Sequence, residues 1–387
     1  MIALGLLFGL VAVEGVLRIA RITPERYARP TWAAWYQQGY HATDIWGNIY
    51  DATGNVVVPF LVKRQSRFAQ QGVLMGEYVP GAIYKCIYAT NPRGYFDPDN
   101  GVVMTINAWG MRAGIKPVPL KKGPDTYRIL MLGDSFTFGI GVRDHETFSE
   151  VLHKRLNDAS TDGTRYEVLN AGVQGYNTRD EVLAFEHQWM QLDPDLVLIT
   201  FYLNDAYADS TILNNGEALG IYLKNTGRVA RVSYAWDMIQ HKRQARKVTE
   251  EVERYYKGQF FSKASQVLES PGVGGVDWTV SKAALLRAQT LCRERNIDLG
   301  LAIFPELFHL DDSYPFTDIH ALVARTCRAN GIPVIDLFDT FRGQDESALW
   351  AHPSDHHPNE VAHRMAAEAF DDFIRAEFLK EGARKIP

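Results

Sequence analysis

Between Tyr127 and Phe338 the chain carries five short runs that are apolar almost throughout: YRILMLG, YEVLNAG, DLVLITFYL, DLGLAIFPE and IPVIDLF. A strand with one wet face alternates apolar and polar residues. These runs do not alternate, which is the pattern of parallel strands buried between helices. Helical periodicity fills the intervals, over residues 146–156, 179–191, 280–296 and 318–329, with a last stretch from 360 to about 379. Strand and helix in alternation predict an α/β fold: a five-stranded parallel sheet with a helical layer on each side. Ligands of such sheets bind beyond the carboxyl ends of the strands, so the residues that follow each run are the ones to inspect for chemistry.

The remainder of the chain divides into three parts. Residues 30–119 hold short apolar or aromatic runs broken by Gly, Pro, Asn and Asp, which reads as a β-rich, antiparallel accessory segment. The stretch KPVPLKKGPD then reads as a linker into a domain spanning 125–380. The connection 206–277 is too long for an ordinary crossover and is a candidate lid or substrate-binding insertion; its charged stretch HKRQARKVTEEVERYYKGQFF reads as a solvated amphipathic helix. Residues 1–22, MIALGLLFGLVAVEGVLRIARI, form a hydrophobic helix about as long as a bilayer crossing requires, provided Glu14 and Arg18 pair one helical turn apart. No small-residue cleavage site follows the apolar run directly, so this reads as a retained membrane anchor, with a buried amphipathic helix as the other reading. Arg18, Arg21, Arg26 and Arg29 all follow the segment, and the positive-inside rule then leaves the main domain in the cytoplasm.

Composition narrows the function classes. With 46% hydrophobic and 22% charged residues the 387-residue chain is globular, and a net charge of −5 offers no footprint for nucleic acid. Three irregularly spaced cysteines, Cys86, Cys292 and Cys327, make neither a disulfide framework nor a cysteine zinc site.

Four segments at the strand ends carry chemistry. Ser135 follows the first run in Gly-Asp-Ser, where a side chain can point into the ligand crevice. It is not a nucleophile elbow of the G-x-S-x-G kind, because Thr137 stands where that motif needs glycine. Gly175 in NAGVQGYNT can bring a backbone N–H close to a ligand, and the Asn204 amide in FYLND can donate to a developing oxyanion. In HPSDHHPNE, Asp355 and His357 are two apart, so in an extended loop they share a side, and the carboxylate can hold the imidazole as a general base. Each segment alone also reads as an ordinary turn or helix cap. His352, Asp355, His356 and His357 include metal-ligand types, a reading that leaves the serine without a role.

Taken together, the four blocks resemble the SGNH hydrolases, the GDSL esterase/lipase superfamily, from about Arg128 to the carboxyl end with the long insertion interposed. The resemblance implies a flavodoxin-like three-layer α/β/α sandwich. It implies Ser135 as nucleophile, His357 as base and Asp355 as its orienting acid. The Ser135 N–H, the Gly175 N–H and the Asn204 amide become the oxyanion hole, and neither cofactor nor metal is required. The expected activity is hydrolysis of an acyl ester, the partner being a small-molecule or glycan ester. The alternatives are O-acyl transfer onto an envelope polysaccharide and a non-catalytic binding module on the same fold. Two positions depart from the family pattern. Tyr202 replaces glycine in Gly-x-Asn-Asp, and the final block is Asp-x-His, with Ser354 where Asp-x-x-His would place its acid. The apolar start and the stretch TINAWGMR also resemble membrane-anchored bacterial members, which implies an extracytoplasmic catalytic domain, periplasmic or at the cell surface, against the charge rule.

Overall fold

A computed structural model of the chain describes residues 76–88, 91–112, 118–206, 278–353 and 355–379, with shorter stretches within 9–19, 41–59 and 253–261. The chain folds into two compact units, Met1–Arg29 with Thr211–Ser262, and Pro30–Ser210 with Lys263–Pro387. In the first unit the described residues are helical: Gly9, residues 11–16 and Ile19, and Glu253, Tyr256, Lys257, Phe260 and Phe261. Val11, Val13, Val16 and Ile19 are exposed, whereas Tyr256 and Phe260 are buried. Among the described residues no helix is long and apolar enough to cross a membrane. Most of segment 1–22 and of the insertion 206–277 lies outside the described residues.

The second unit contains two five-stranded sheets. The smaller pairs β1 (His41–Thr43), β2 (Asn48–Tyr50), β3 (Val56–Pro59), β4 (Ile83–Ile87) and β5 (Gly101–Thr105) in the order β3-β2-β1-β4-β5. The expected antiparallel layer needs one correction, because β1 and β4 run parallel while the other three pairings are antiparallel. β4 lies on the other side of β1 from β2 and is not joined to β1 as a hairpin partner, so the two strands need not run in opposite directions.

The larger sheet is built from the five apolar runs: β6 (Thr126–Gly133), β7 (Arg165–Gly172), β8 (Leu196–Phe201), β9 (Asp298–Ile303) and β10 (Val334–Asp336). All pairings are parallel and the order is β10-β9-β8-β6-β7, the flavodoxin-like order expected. Ile129 to Leu132 at its centre have no solvent exposure, which explains why β6 tolerates no polar alternation. The helices that pack on or border this sheet include α1 (Ser135–Phe138), α2 (Phe148–Asp158), α3 (Thr178–Ala184), α4 (Trp278–Glu294), α5 (Thr317–Ala329) and α6 (Glu360–Glu377), with one further turn of helix at Phe338–Phe341. From β6 to β7 the chain steps towards one edge, and from β7 to β8 it steps back. Right-handed crossovers therefore put α2 and α3 on opposite faces, with α4 beside α3 and α6 packed on α2. The periodicity over 179–191 is only partly α-helical. After Ala184 the helix widens into a π turn at Phe185–Trp189 and tightens at Met190–Leu192, where the Arg128 guanidinium takes the Leu192 carbonyl.

The reversal of strand order between β6 and β8 opens a crevice at their carboxyl ends, and two of the sequence-predicted segments lie there. The accessory segment reaches the same place. Arg112, fully buried, bridges to Asn170 on β7 and donates to the carbonyls of Phe138 (3.1 Å), Gly139 (2.9 Å) and Val142 (2.6 Å) as well as to Asp144 (2.6 Å). Those carbonyls belong to the end of α1 and the loop after it, so a side chain outside the α/β framework fixes the turn that bears Ser135. The three cysteines are buried thiols, and none is in a disulfide among the described residues.

Candidate active site

The Gly-Asp-Ser ending of β6 has a packing reason. Asp134 caps α1, its Oδ1 accepting from the Phe136 N–H at 2.9 Å, and Ser135 is the first helical residue. This single helical turn lies directly on β7. A Cβ on Gly172 would stand 2.3 Å from the Phe138 nitrogen, and one on Gly133 1.9 Å from Thr137 Oγ1. Glycine on both strands is what lets the serine backbone come so close. Ser135 is 6% exposed, at the mouth of the crevice.

The base arrives on a short hairpin formed by β11 (Trp350–His352) and β12 (Asp355–Pro358), in which His352 pairs with Asp355. Asp355 and His357 share one side of β12, as their spacing predicts. His357 Nε2 lies 2.9 Å from Ser135 Oγ, and its Nδ1 lies 2.5 Å from Asp355 Oδ1. The second carboxylate oxygen accepts from the Tyr88 hydroxyl at 2.7 Å, and the His357 N–H approaches Oδ1 at 3.2 Å. With Nδ1–H donated to Asp355, the Nε2 lone pair faces the serine hydroxyl, the tautomer that a general base needs.

Electrostatics reinforce this arrangement. Burial alone would depress the His357 pKa, but the charge and hydrogen bond of Asp355, aided by Asp134 and Glu306, raise it above the ordinary value. Burial works against an ionised Asp355, yet His357, Tyr88 and the His357 N–H hold it below the usual carboxylate range. Asp134 behaves oppositely: burial raises it, only partly offset by bonds from Asn204 and Phe136. The metal reading finds no geometry in its support. His352 stacks on Tyr88 and His356 on Trp350, and among the described residues no group of three His, Cys, Asp or Glu side chains is disposed to hold an ion.

Of the expected oxyanion donors, Gly175 stands in the turn after β7 with φ +80°, a conformation that glycine adopts without strain. Asn204 lies in the turn Leu203–Ala206 that closes β8. One of its amide N–H groups donates to Asp134 Oδ2 at 2.8 Å, a contact the sequence did not predict. An amide has two such hydrogens, so the second is left for a ligand. Ser135 N–H sits at a helix amino end, where backbone donors have no intrahelical acceptor. Ser354 lies outside the described residues. An apolar hollow of about 410 Å³ between α3 and α4 lies on a helical face, away from these residues.

Sequence reasoning missed Tyr88 and Arg112. Both come from the accessory segment, and no local pattern marks a tyrosine that will meet an aspartate 267 positions later.

Over residues 131–365 the sequence matches the GDSL-like Lipase/Acylhydrolase family, a span of more than half the chain. The chain belongs to the GDSL-like lipase/acylhydrolase family. As a member it is a carboxylic ester hydrolase, and its fold is the α/β sandwich described above. No curated protein matches the sequence. Among solved structures, it is similar to LAE5, an alpha/beta hydrolase enzyme from the metagenome of Lake Arreo, Spain, at 16% identity, covering 66% of this chain and 96% of that one with a TM-score of 0.40. It is also similar to the psychrotrophic esterase EstA from Pseudoalteromonas sp., at 14% identity over 65% and 99% of the two chains, with a TM-score of 0.39. A third similar structure is the acetyl xylan esterase AlAXEase, at 17% identity over 63% and 97%, with a TM-score of 0.38.

Proposed function

We propose that this GDSL-family protein hydrolyses its ester by serine acyl transfer. His357 Nε2 takes the proton from Ser135 Oγ as that oxygen attacks the ester carbonyl, and Asp355 stabilises the imidazolium that forms. The N–H groups of Ser135 and Gly175 and the free N–H of Asn204 receive the oxyanion. The imidazolium then protonates the leaving alcohol, and water, deprotonated by His357, releases the acyl group from Ser135. The observation that supports this reading best is the unbroken chain of contacts from Tyr88 through Asp355 and His357 to Ser135.

The test is a p-nitrophenyl ester chain-length series on wild type and Ser135→Ala, beside labelling with a fluorophosphonate. The variant is expected to lose turnover by about 10⁴- to 10⁶-fold and to take no label. Wild-type rates in Ser135→Ala would refute the assignment, and a wild-type protein that neither turns over nor labels would favour a binding module. Acyl transfer is read from the products: a carbohydrate acceptor that becomes acylated faster than water is consumed would replace hydrolysis by O-acyl transfer.

We also propose that residues 1–22 anchor the protein in a membrane with the catalytic unit outside the cytoplasm. The apolar run and the exposed Val11, Val13, Val16 and Ile19 support the anchor. Retention in the membrane after a carbonate wash, with Ser135 labelled by an impermeant fluorophosphonate in intact cells, is the expected result; release by carbonate would refute it.

A further inference from the structure

Tyr78 lies ahead of the family-matched span 131–365, yet it touches two segments of the site at once. Its hydroxyl accepts the Gln174 N–H at 3.2 Å, and its ring stacks on Phe138 at 4.5 Å. Gln174 precedes Gly175, one of the oxyanion donors named above, and Phe138 ends the single helical turn that Ser135 begins. Tyr78 is 1% exposed, and Gln174 is buried as well.

The turn that carries Gly175 depends on this bond. The Val173 N–H is held by the Gly133 carbonyl at 2.9 Å, and the Tyr176 N–H closes the turn on the Val173 carbonyl at 3.0 Å. Gly175, with φ +80°, takes the third place of a type II turn, where glycine moves at little cost. Between the two held ends, Tyr78 supplies the acceptor for the Gln174 N–H. A buried N–H without an acceptor costs more than the bond itself is worth. Without the hydroxyl, the turn is relieved by rotating that N–H towards water, and the next N–H, that of Gly175, moves with it. An oxyanion donor displaced by even half an ångström is out of range.

Tyr78 is itself mounted on the accessory sheet. The next residue, Val79, donates its N–H to the Tyr84 hydroxyl of β4 at 3.4 Å, and its carbonyl accepts the Ala82 N–H at 3.1 Å. The Gly81 N–H donates to the Asn107 carbonyl at 3.2 Å. The Phe138 ring also carries the Arg112 guanidinium, at 4.8 Å, so two side chains of the accessory segment bear on the end of α1.

We propose that Tyr78 is a positioning residue for the oxyanion hole: its hydroxyl sets the Gly175 N–H through Gln174, and its ring sets the Ser135 N–H through Phe138. The accessory segment is then a working part of the site. This rests on the serine reading above and extends it to a residue outside the family-matched span.

The experiment compares p-nitrophenyl acetate with its thionoester, in which sulfur replaces the carbonyl oxygen, on wild type and Tyr78→Phe. Phenylalanine keeps the stack on Phe138 and deletes the acceptor. Sulfur accepts hydrogen bonds weakly, so damage to the oxyanion donors lowers the ester rate more than the thionoester rate. On the ester, kcat is expected to fall about three- to tenfold, the weight of one neutral hydrogen bond, with KM unchanged. The ester-to-thionoester ratio should fall with it. A kcat within about twofold of wild type would overturn the proposal, as would a loss carried by KM alone. Equal losses on the two substrates would overturn it too, because a merely structural role lowers both alike. Tyr95→Phe is the control: it deletes another hydroxyl of the same segment, one that meets Glu146 and the Arg143 N–H, and its ratio should stay at the wild-type value. A matching fall there would also count against Tyr78. Asn204→Ala separates the failures: a ratio that falls in it but not in Tyr78→Phe refutes Tyr78 alone, and one that falls in neither refutes the oxyanion hole as well. Should Tyr78→Phe fail to fold, hydrogen exchange of the wild-type Gln174 amide decides. Slow exchange is expected, and exchange as fast as that of an exposed loop amide would overturn the bond.

Discussion

Replacing Tyr88 by phenylalanine tests the part of the site that comes from outside the α/β framework. The ring packs against Phe96 at 4.4 Å and against His352 at 5.1 Å, and phenylalanine keeps both contacts. What is lost is one hydroxyl, 2.7 Å from Asp355 Oδ2. Burial first, and then the Asp355 charge, raise the Tyr88 pKa well above its ordinary 10.0, so the phenol is a donor at any pH used for assay. Its removal leaves a buried carboxylate oxygen unpaired, and hydrogen bonds to charged groups are worth about 1.5–3 kcal/mol. If that falls on the transition state, where Asp355 must hold the imidazolium, kcat drops by roughly ten- to a hundredfold. Tyr88 lies behind Asp355 as seen from Ser135, so KM should hardly move. The assay is steady-state hydrolysis of p-nitrophenyl acetate across pH 5–9, with a thermal melt to separate folding from catalysis. A kcat within twofold of wild type with an unchanged pH profile would refute the reasoning, as would a loss confined to the melt.

Three further outcomes follow from the same geometry. Because Asp355 raises the His357 pKa against burial, the rising limb of kcat/KM should have its midpoint above 6.5, and Asp355→Asn should move it down while lowering kcat by about 10⁴; a wild-type midpoint below 6.5 would contradict this. Gly172→Ala puts a Cβ 2.3 Å from a backbone nitrogen that cannot yield, so stability should fall by about 1–3 kcal/mol and activity with it, read as a lower melting temperature; an unchanged melt would be the opposing result. Glu181 and Asp205, both fully buried, are raised well above their ordinary values, Glu181 by burial and then by Asp134 and Asp180, and Asp205 by burial and then by Glu181. Their stabilising contribution is therefore complete below the unfolded carboxyl values and is lost as pH climbs towards the folded ones. Denaturant titrations from pH 4.5 to 8 should show a shallower decline for Glu181→Gln than for wild type, and equal slopes would count against the buried neutral acid.

Legibility in the sequence tracked the range of the interaction. The runs that became β6 to β10 are visible because burial on both faces imposes an unbroken apolar pattern locally. The two-residue spacing of Asp355 and His357 puts them on one side of any extended loop, and their meeting with Ser135 follows from parallel strands ending at one crevice. The parallel pairing of β1 with β4 was not readable, since short accessory strands carry no mark of their neighbours. The bond from Asn204 to Asp134 was equally invisible, because each residue alone looks like an ordinary turn or cap.

What the linear chain determined by itself is the sheet, its helical cover and the identity of the groups at the strand ends, for these depend on periodicity and on chemistry carried within a few residues. The tertiary structure alone decided which remote side chains complete the site. Arg112 under the serine turn and Tyr88 behind the acid are ordinary residues in sequence. Each acquires its role only when folding removes water and brings one specific partner within hydrogen-bonding distance, a long-range event that leaves no local pattern to read.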